Sequence, residues 1–238
     1  MYDMKNKVSF FLLASILGLV PLRSQSPVPI QSKFRTIGLD VNRMDLFYSL
    51  KNSDVPVSVT SDTRSDFYEI PAANPVIFYK IQKSTNNDIV RIPVAQVDLS
   101  PGGALPMVAF SKDSMHADAL KLRVLRDDLS AFPIGSFKIL NGGLTPMEAV
   151  FSGKATALPP ASEVIVTPKP EAGKPTLYFQ LNRMGTNGVQ TIYANNWVYS
   201  PSVRTMVVIS PASSSGSFPT VRRLGEIGDI LYQVPKVK

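Results

Sequence analysis

The chain has 238 residues, 44% apolar and 18% charged, with 20 prolines and no cysteine. That apolar share excludes wholesale disorder, and the missing cysteines exclude disulfides, thiolate metal sites and thiol nucleophiles. The net charge of +7 is scattered, with Arg222-Arg223 its one basic doublet, so a nucleic-acid stripe with interleaved aromatics is excluded as well.

Residues 1–24 read as a signal peptide. Lys5 and Lys7 form a short positive start, and Val8 to Val20 is an apolar run too short to span a bilayer. Pro21 breaks that run. Ser24 offers a small residue for cleavage, so the mature chain is expected to begin at Gln25. The expected location is the periplasm or the cell exterior. Membrane contact is expected only through this segment, unless it stays uncleaved as an anchor.

From about residue 33 onward the apolar residues alternate with period two, the signature of strands. Val76 to Ile81 is apolar on nearly both faces. Asn86-Asn87-Asp88 is a turn, and Ile89 to Leu99 follows with a phase slip beside Pro93. That slip predicts a β-bulge or a bend between sheets. Pro101-Gly102-Gly103 is a turn before the strand Leu105 to Ser111. Leu120, Leu122 and Val124 point inward, with Lys121 and Arg123 outward. Phe137 and Ile139 point inward beside an outward Lys138, and Asn141-Gly142-Gly143 ends that strand.

Met147, Ala149 and Phe151 alternate with Glu148 and Val150. Val164 to Val166, Leu177 to Leu181, Ile192 to Tyr199 and Thr205 to Ile209 supply four more strands. No sustained helical pattern and no internal repeat is visible. Short strands at regular spacing predict an all-β, antiparallel β-sandwich of immunoglobulin-like or jelly-roll-like type. It is expected to cover 25–212, as one domain or as two small sandwiches split near 113, where Ser111 to Ala119 is polar. Residues 213–238 read as a Ser-rich connector, a last strand around Val221 to Leu224, and a flexible tail.

The segment Asp127 to Asn141 contains Phe132-Pro133-Ile134-Gly135 leading into a strand that ends in Asn. It resembles a motif of uncharacterised exported bacterial β-sandwich proteins, as does Trp197 followed by Ser200-Pro201-Ser202-Val203-Arg204-Thr205. The resemblance implies export and an all-β fold, and it carries over no catalytic residue. Physically the segment is a turn, with Pro fixing φ, Gly permitting positive φ and Phe132 plugging the end of a core.

Candidate chemistry is sparse. His116 is the lone histidine and lies in a polar loop, far from the convergent geometry a triad needs. Candidates for paired carboxylates in glycoside hydrolysis are Asp40, Asp45, Asp98, Asp127, Asp128, Glu148 and Glu163, of which the sequence brings together only Asp127 and Asp128. A calcium site at Asp127, Asp128 or Asn86 to Asp88 lacks the usual loop spacing. Tyr193, Trp197 and Tyr199 share one strand face and form either a sugar-stacking platform or part of a core. No cofactor is expected. The leading reading is a non-catalytic exported structural or protein-interaction sandwich of the cell envelope. Its expected partner is another envelope protein or a glycan. The alternatives are a carbohydrate-binding module and a polysaccharide-active enzyme using paired carboxylates.

Overall fold

A computed structural model describes residues 33–113, 115–116, 119–170, 174–185, 188–211 and 218–227. The expected signal peptide, the Ser-rich stretch 213–217 and the tail beyond 227 lie outside the described residues. Within them the chain is an all-β sandwich architecture of sixteen strands, with one 3-10 turn at Ser100–Gly102.

The first eight strands are β1 (Lys33–Gly38), β2 (Arg43–Leu50), β3 (Ser53–Val59), β4 (Tyr68–Glu69), β5 (Val76–Lys83), β6 (Ile89–Val97), β7 (Pro106–Lys112) and β8 (Leu120–Arg126). They form two sheets, β3-β2-β5-β6 and β4-β1-β7-β8. The next eight are β9 (Phe137–Asn141), β10 (Met147–Phe151), β11 (Lys154–Leu158), β12 (Glu163–Val166), β13 (Thr176–Gly185), β14 (Gly188–Val198), β15 (Val203–Ser210) and β16 (Thr220–Ile227). They form β11-β10-β13-β14 and β12-β9-β15-β16. Pairing is antiparallel except at β1 with β7 and β9 with β15, which are parallel. Among the described residues no sheet mixes strands from the two halves, so the division falls between β8 and β9. The polar stretch near 113 is instead the β7–β8 connection.

Three apolar clusters order the sheets into four layers. Phe34, Leu46, Tyr48, Val57, Phe78 and Phe110 fill the first sandwich. Phe137, Phe151, Leu177, Phe179, Trp197 and Val207 fill the second. Ile37, Met107, Leu125, Leu140, Met206 and Val208 form a third cluster between the two inner sheets. Strands β1, β7, β9 and β15 are therefore buried on both faces. Strand β10, in an outer sheet, keeps the alternation its sequence predicts, with Met147, Ala149 and Phe151 buried.

The slip beside Pro93 is a β-bulge: the β5–β6 register shifts between Phe78 and Tyr79, and Tyr79 lies opposite Pro93. The bulge keeps β6 in one sheet, because a proline without an N–H is accommodated on this edge strand. The Phe132-Pro133-Ile134-Gly135 turn forms as expected. Gly135 has φ +74°, and a Cβ there would come 3.1 Å from the Pro201 carbonyl oxygen. Phe132 is fully buried, but it plugs the layer between the sandwiches and not the end of one core.

Candidate functional site

The largest concentration of buried polar groups lies at one end of the layer between the inner sheets. Along β1, Arg35 and Ile37 face this layer. Lys138 and Leu140 do so from β9, and Arg204, Met206 and Val208 from β15. Period-two alternation thus carries each strand from an apolar middle to a charged end.

Arg204 is completely buried. Its Nη2 lies 2.7 Å from Glu226 Oε2 and 3.2 Å from Asp127 Oδ2, and its Nη1 donates to the Asp127 carbonyl oxygen at 2.6 Å. Arg35 Nη1 reaches Glu226 Oε1 at 2.6 Å and Asp127 Oδ2 at 3.7 Å. Arg64, from the β3–β4 loop, adds a third contact to Glu226 at 3.2 Å. The Phe132 ring lies under three cations, with Arg204 at 4.8 Å, Lys138 at 5.3 Å and Arg64 at 5.7 Å from its centroid. Such contacts are favourable to the ring face, more so when water is excluded.

Burial alone would raise the Glu226 carboxyl. The charges of Arg64, Arg35 and Arg204 outweigh it and hold Glu226 below the ordinary glutamate range. Burial pushes the Lys138 ammonium and the Arg64 guanidinium down, against the pull of nearby acids. Lys138 was expected to point to solvent. It is fully buried because the face it occupies is covered by the other sandwich, and its Nζ donates to the Arg126 carbonyl oxygen.

The expected aromatic platform is a core element. Trp197 is 3% exposed and stacks on Phe179 at 4.0 Å, with Phe137 at 5.9 Å on a nearly parallel plane. Tyr193 and Tyr199 pack against the same cluster, half-buried. The aromatic faces are taken by other rings, and Arg223 lies 5.5 Å from the Trp197 ring. Trp197 itself therefore has no open face for a sugar.

The seven acids considered for paired catalysis have separate structural partners. Asp45 binds Arg43, and Asp98 accepts from Asn74 and the Ser100 N–H. Asp128 caps the turn at Ala131, and Glu148 accepts from Asn182. Asp40 accepts from the Lys112 N–H, Glu163 lies 3.8 Å from Lys138, and Asp127 is held by Arg204. Asp127 does share two arginines with a second acid, Glu226, which the sequence alone does not bring beside it. Both are held by arginines in one buried ion-pair network. Asn86 to Asp88 form the β5–β6 turn around Ser84 Oγ. Among the described residues, no three His, Asp or Glu side chains gather as a metal site.

His116 is exposed, with Nδ1 3.4 Å from Asp113 Oδ2. His116→Ala is expected to change stability by less than about 0.5 kcal/mol, as at ordinary surface sites. Urea unfolding checks this, and a loss of several kcal/mol would contradict it.

One edge strand exposes neighbouring apolar side chains on both of its faces. Strand β6 ends the outer sheet of the first half, and its first turnward residues Ile89, Val90 and Ile92 are 63%, 43% and 38% exposed. The only charge among them, Arg91, is drawn back onto its own sheet by a two-pronged contact with Asp54 at 2.7 and 2.9 Å. No protein-family model matches this chain, and no curated protein matches it at a significant level.

Proposed function

We propose that the chain is a non-catalytic exported protein of the cell envelope, a structural or protein-interaction sandwich that receives a partner at β6. The exposed apolar edge Ile89 to Ile92 carries this reading. Unpaired backbone groups on a sheet edge are a template for an added strand, and apolar side chains on both faces give that strand something to cover. Natural edges are usually guarded by charge or proline. Here Pro93 guards only the far part of β6, and the Arg91 guanidinium is held by Asp54.

Export is tested by N-terminal sequencing of protein recovered from the exported fraction, which is expected to begin near Gln25. An intact Met1 on a cytoplasmic protein would overturn it. The edge is tested with a photo-crosslinking residue at Val90 in intact cells. One defined adduct is expected, and it should vanish when Ile89→Lys and Ile92→Lys are added. Those two changes are expected to leave stability within about 0.5 kcal/mol, since both side chains are exposed. An adduct that persists in the charged variant would remove β6 as the contact.

A further inference from the structure

Both halves of the chain make the same six strand pairings in the same order. Strand β1 joins β4 and β7, and β7 joins β8, as β9 joins β12 and β15, and β15 joins β16. Strand β2 joins β3 and β5, and β5 joins β6, as β10 joins β11 and β13, and β13 joins β14. The parallel pairs recur at the same place in each half, β1 with β7 and β9 with β15.

The register then matches residue to residue across the inner sheets. The row Arg35–Met107–Leu125 corresponds to Lys138–Met206–Leu224. The next row, Ile37–Ala109–Arg123, corresponds to Leu140–Val208–Arg222. One step beyond the first row, Asp127 bonds to Leu105 as Glu226 pairs with Arg204. The chemistry is kept at each place: cation, methionine, leucine; aliphatic, small aliphatic, arginine; then an acid. Short patterns carry it in the sequence, Phe34-Arg35-x-Ile37 with Phe137-Lys138-x-Leu140, and Arg123-x-Leu125-x-Asp127 with Arg222-x-Leu224-x-Glu226.

The contacts across the layer are reciprocal. Arg222 Nη1 donates to the Ser61 carbonyl oxygen in the β3–β4 loop of the first half. Arg123 Nη1 donates to the Ala161 carbonyl oxygen in the β11–β12 loop of the second. The equivalent acids Asp127 and Glu226 are bridged by the same two arginines, Arg35 and Arg204. A surface that meets its own equivalent in this way is the mark of an isologous, two-fold interface.

We infer that the layer between the sandwiches is an isologous interface between two copies of one eight-stranded module, now joined in a single chain. The face built by β1, β7 and β8 is therefore a surface that fits a second copy of its own module, and Arg123 and Arg222 are its paired clamps. The symmetry is broken where the linker enters. Phe132 inserts among the cations, and Arg204 stands where the first half has Leu105.

The chain lacks cysteine, so two spin labels can be placed cleanly at Val90→Cys and Val189→Cys, exposed sites in different halves. Pulsed electron paramagnetic resonance on the full chain is expected to give one narrow distance distribution. Arg123→Ala and Arg222→Ala are each expected to broaden it, and the double variant to broaden it further, with circular dichroism unchanged. Arg123→Met and Arg222→Met, which keep the aliphatic stem, serve if an alanine variant unfolds. Broadening by only one arginine, or by neither, would overturn the reciprocal clamp.

Discussion

Replacing Arg204 with alanine is expected to destabilise the protein by about 3–5 kcal/mol, the usual cost of removing one partner from a buried ion pair. Arg204 and the Asp127 side chain are both fully buried. Without the guanidinium, Asp127 loses its 3.2 Å partner and keeps the longer 3.7 Å contact to Arg35, and the Asp127 carbonyl oxygen loses its 2.6 Å donor. Phe132 also loses the nearest of its three cations. Lysine is not expected to rescue the site, because a single ammonium cannot reach Glu226, Asp127 and a carbonyl oxygen with the planar fork these contacts use. Urea denaturation measures the loss. A change below about 1 kcal/mol would mean that the acids are stabilised without Arg204, against the general cost of buried unpaired charge.

The same network sets an acid limit. Glu226 is held below its ordinary value in the folded chain. A depressed carboxyl contributes stability that is fully present above its unfolded pKa, about 4.3, and is lost as pH falls through the folded value. Acidification is therefore expected to weaken the layer between the sandwiches. In Arg204→Ala the acid-dependent loss should be shallower, since one of the charges that depress Glu226 is gone. Unfolding midpoints measured across the acid range test the slope.

Much of the strand pattern was legible because each alternation is local. Met147 to Phe151 shows its inward face directly, and Pro93 marks the bulge. The Phe132 turn was readable from Pro133 and Gly135 alone. What the pattern does not carry is the identity of whatever covers the second face. Lys138 and Arg123 alternate with core residues as solvent-facing cations do, yet Lys138 is fully buried and Arg123 reaches the opposite half. The duplication was hidden for a related reason. Only a few residues at the layer between the halves are constrained to match, and strand register is needed to bring them into correspondence. The acid pair Asp127 and Glu226 likewise lies at the ends of β8 and β16, far apart in sequence and joined only by packing.

Trp197→Ala is expected to cost about 3–5 kcal/mol, the range for truncating a buried aromatic. Trp197 sits on β14 opposite Leu177 of β13 and is enclosed by rings on several sides. Phe179 stacks at 4.0 Å, Phe137 lies nearly parallel at 5.9 Å, and Phe151 meets it edge-on at 6.1 Å. Aromatic pairs of this kind add to the burial of area, so alanine would leave a cavity in the centre of the second core. Because Trp197 is the only tryptophan, its fluorescence reports this site without interference. The folded protein is expected to emit at a blue-shifted maximum and to resist iodide quenching, with both properties lost together on unfolding. A red-shifted, readily quenched emission in the folded state would mean that the ring is open to water. In that case Tyr193, Trp197 and Tyr199 would again be a surface on which a sugar ring could stack, and polysaccharide pull-downs comparing wild type with Trp197→Ala would become the deciding measurement.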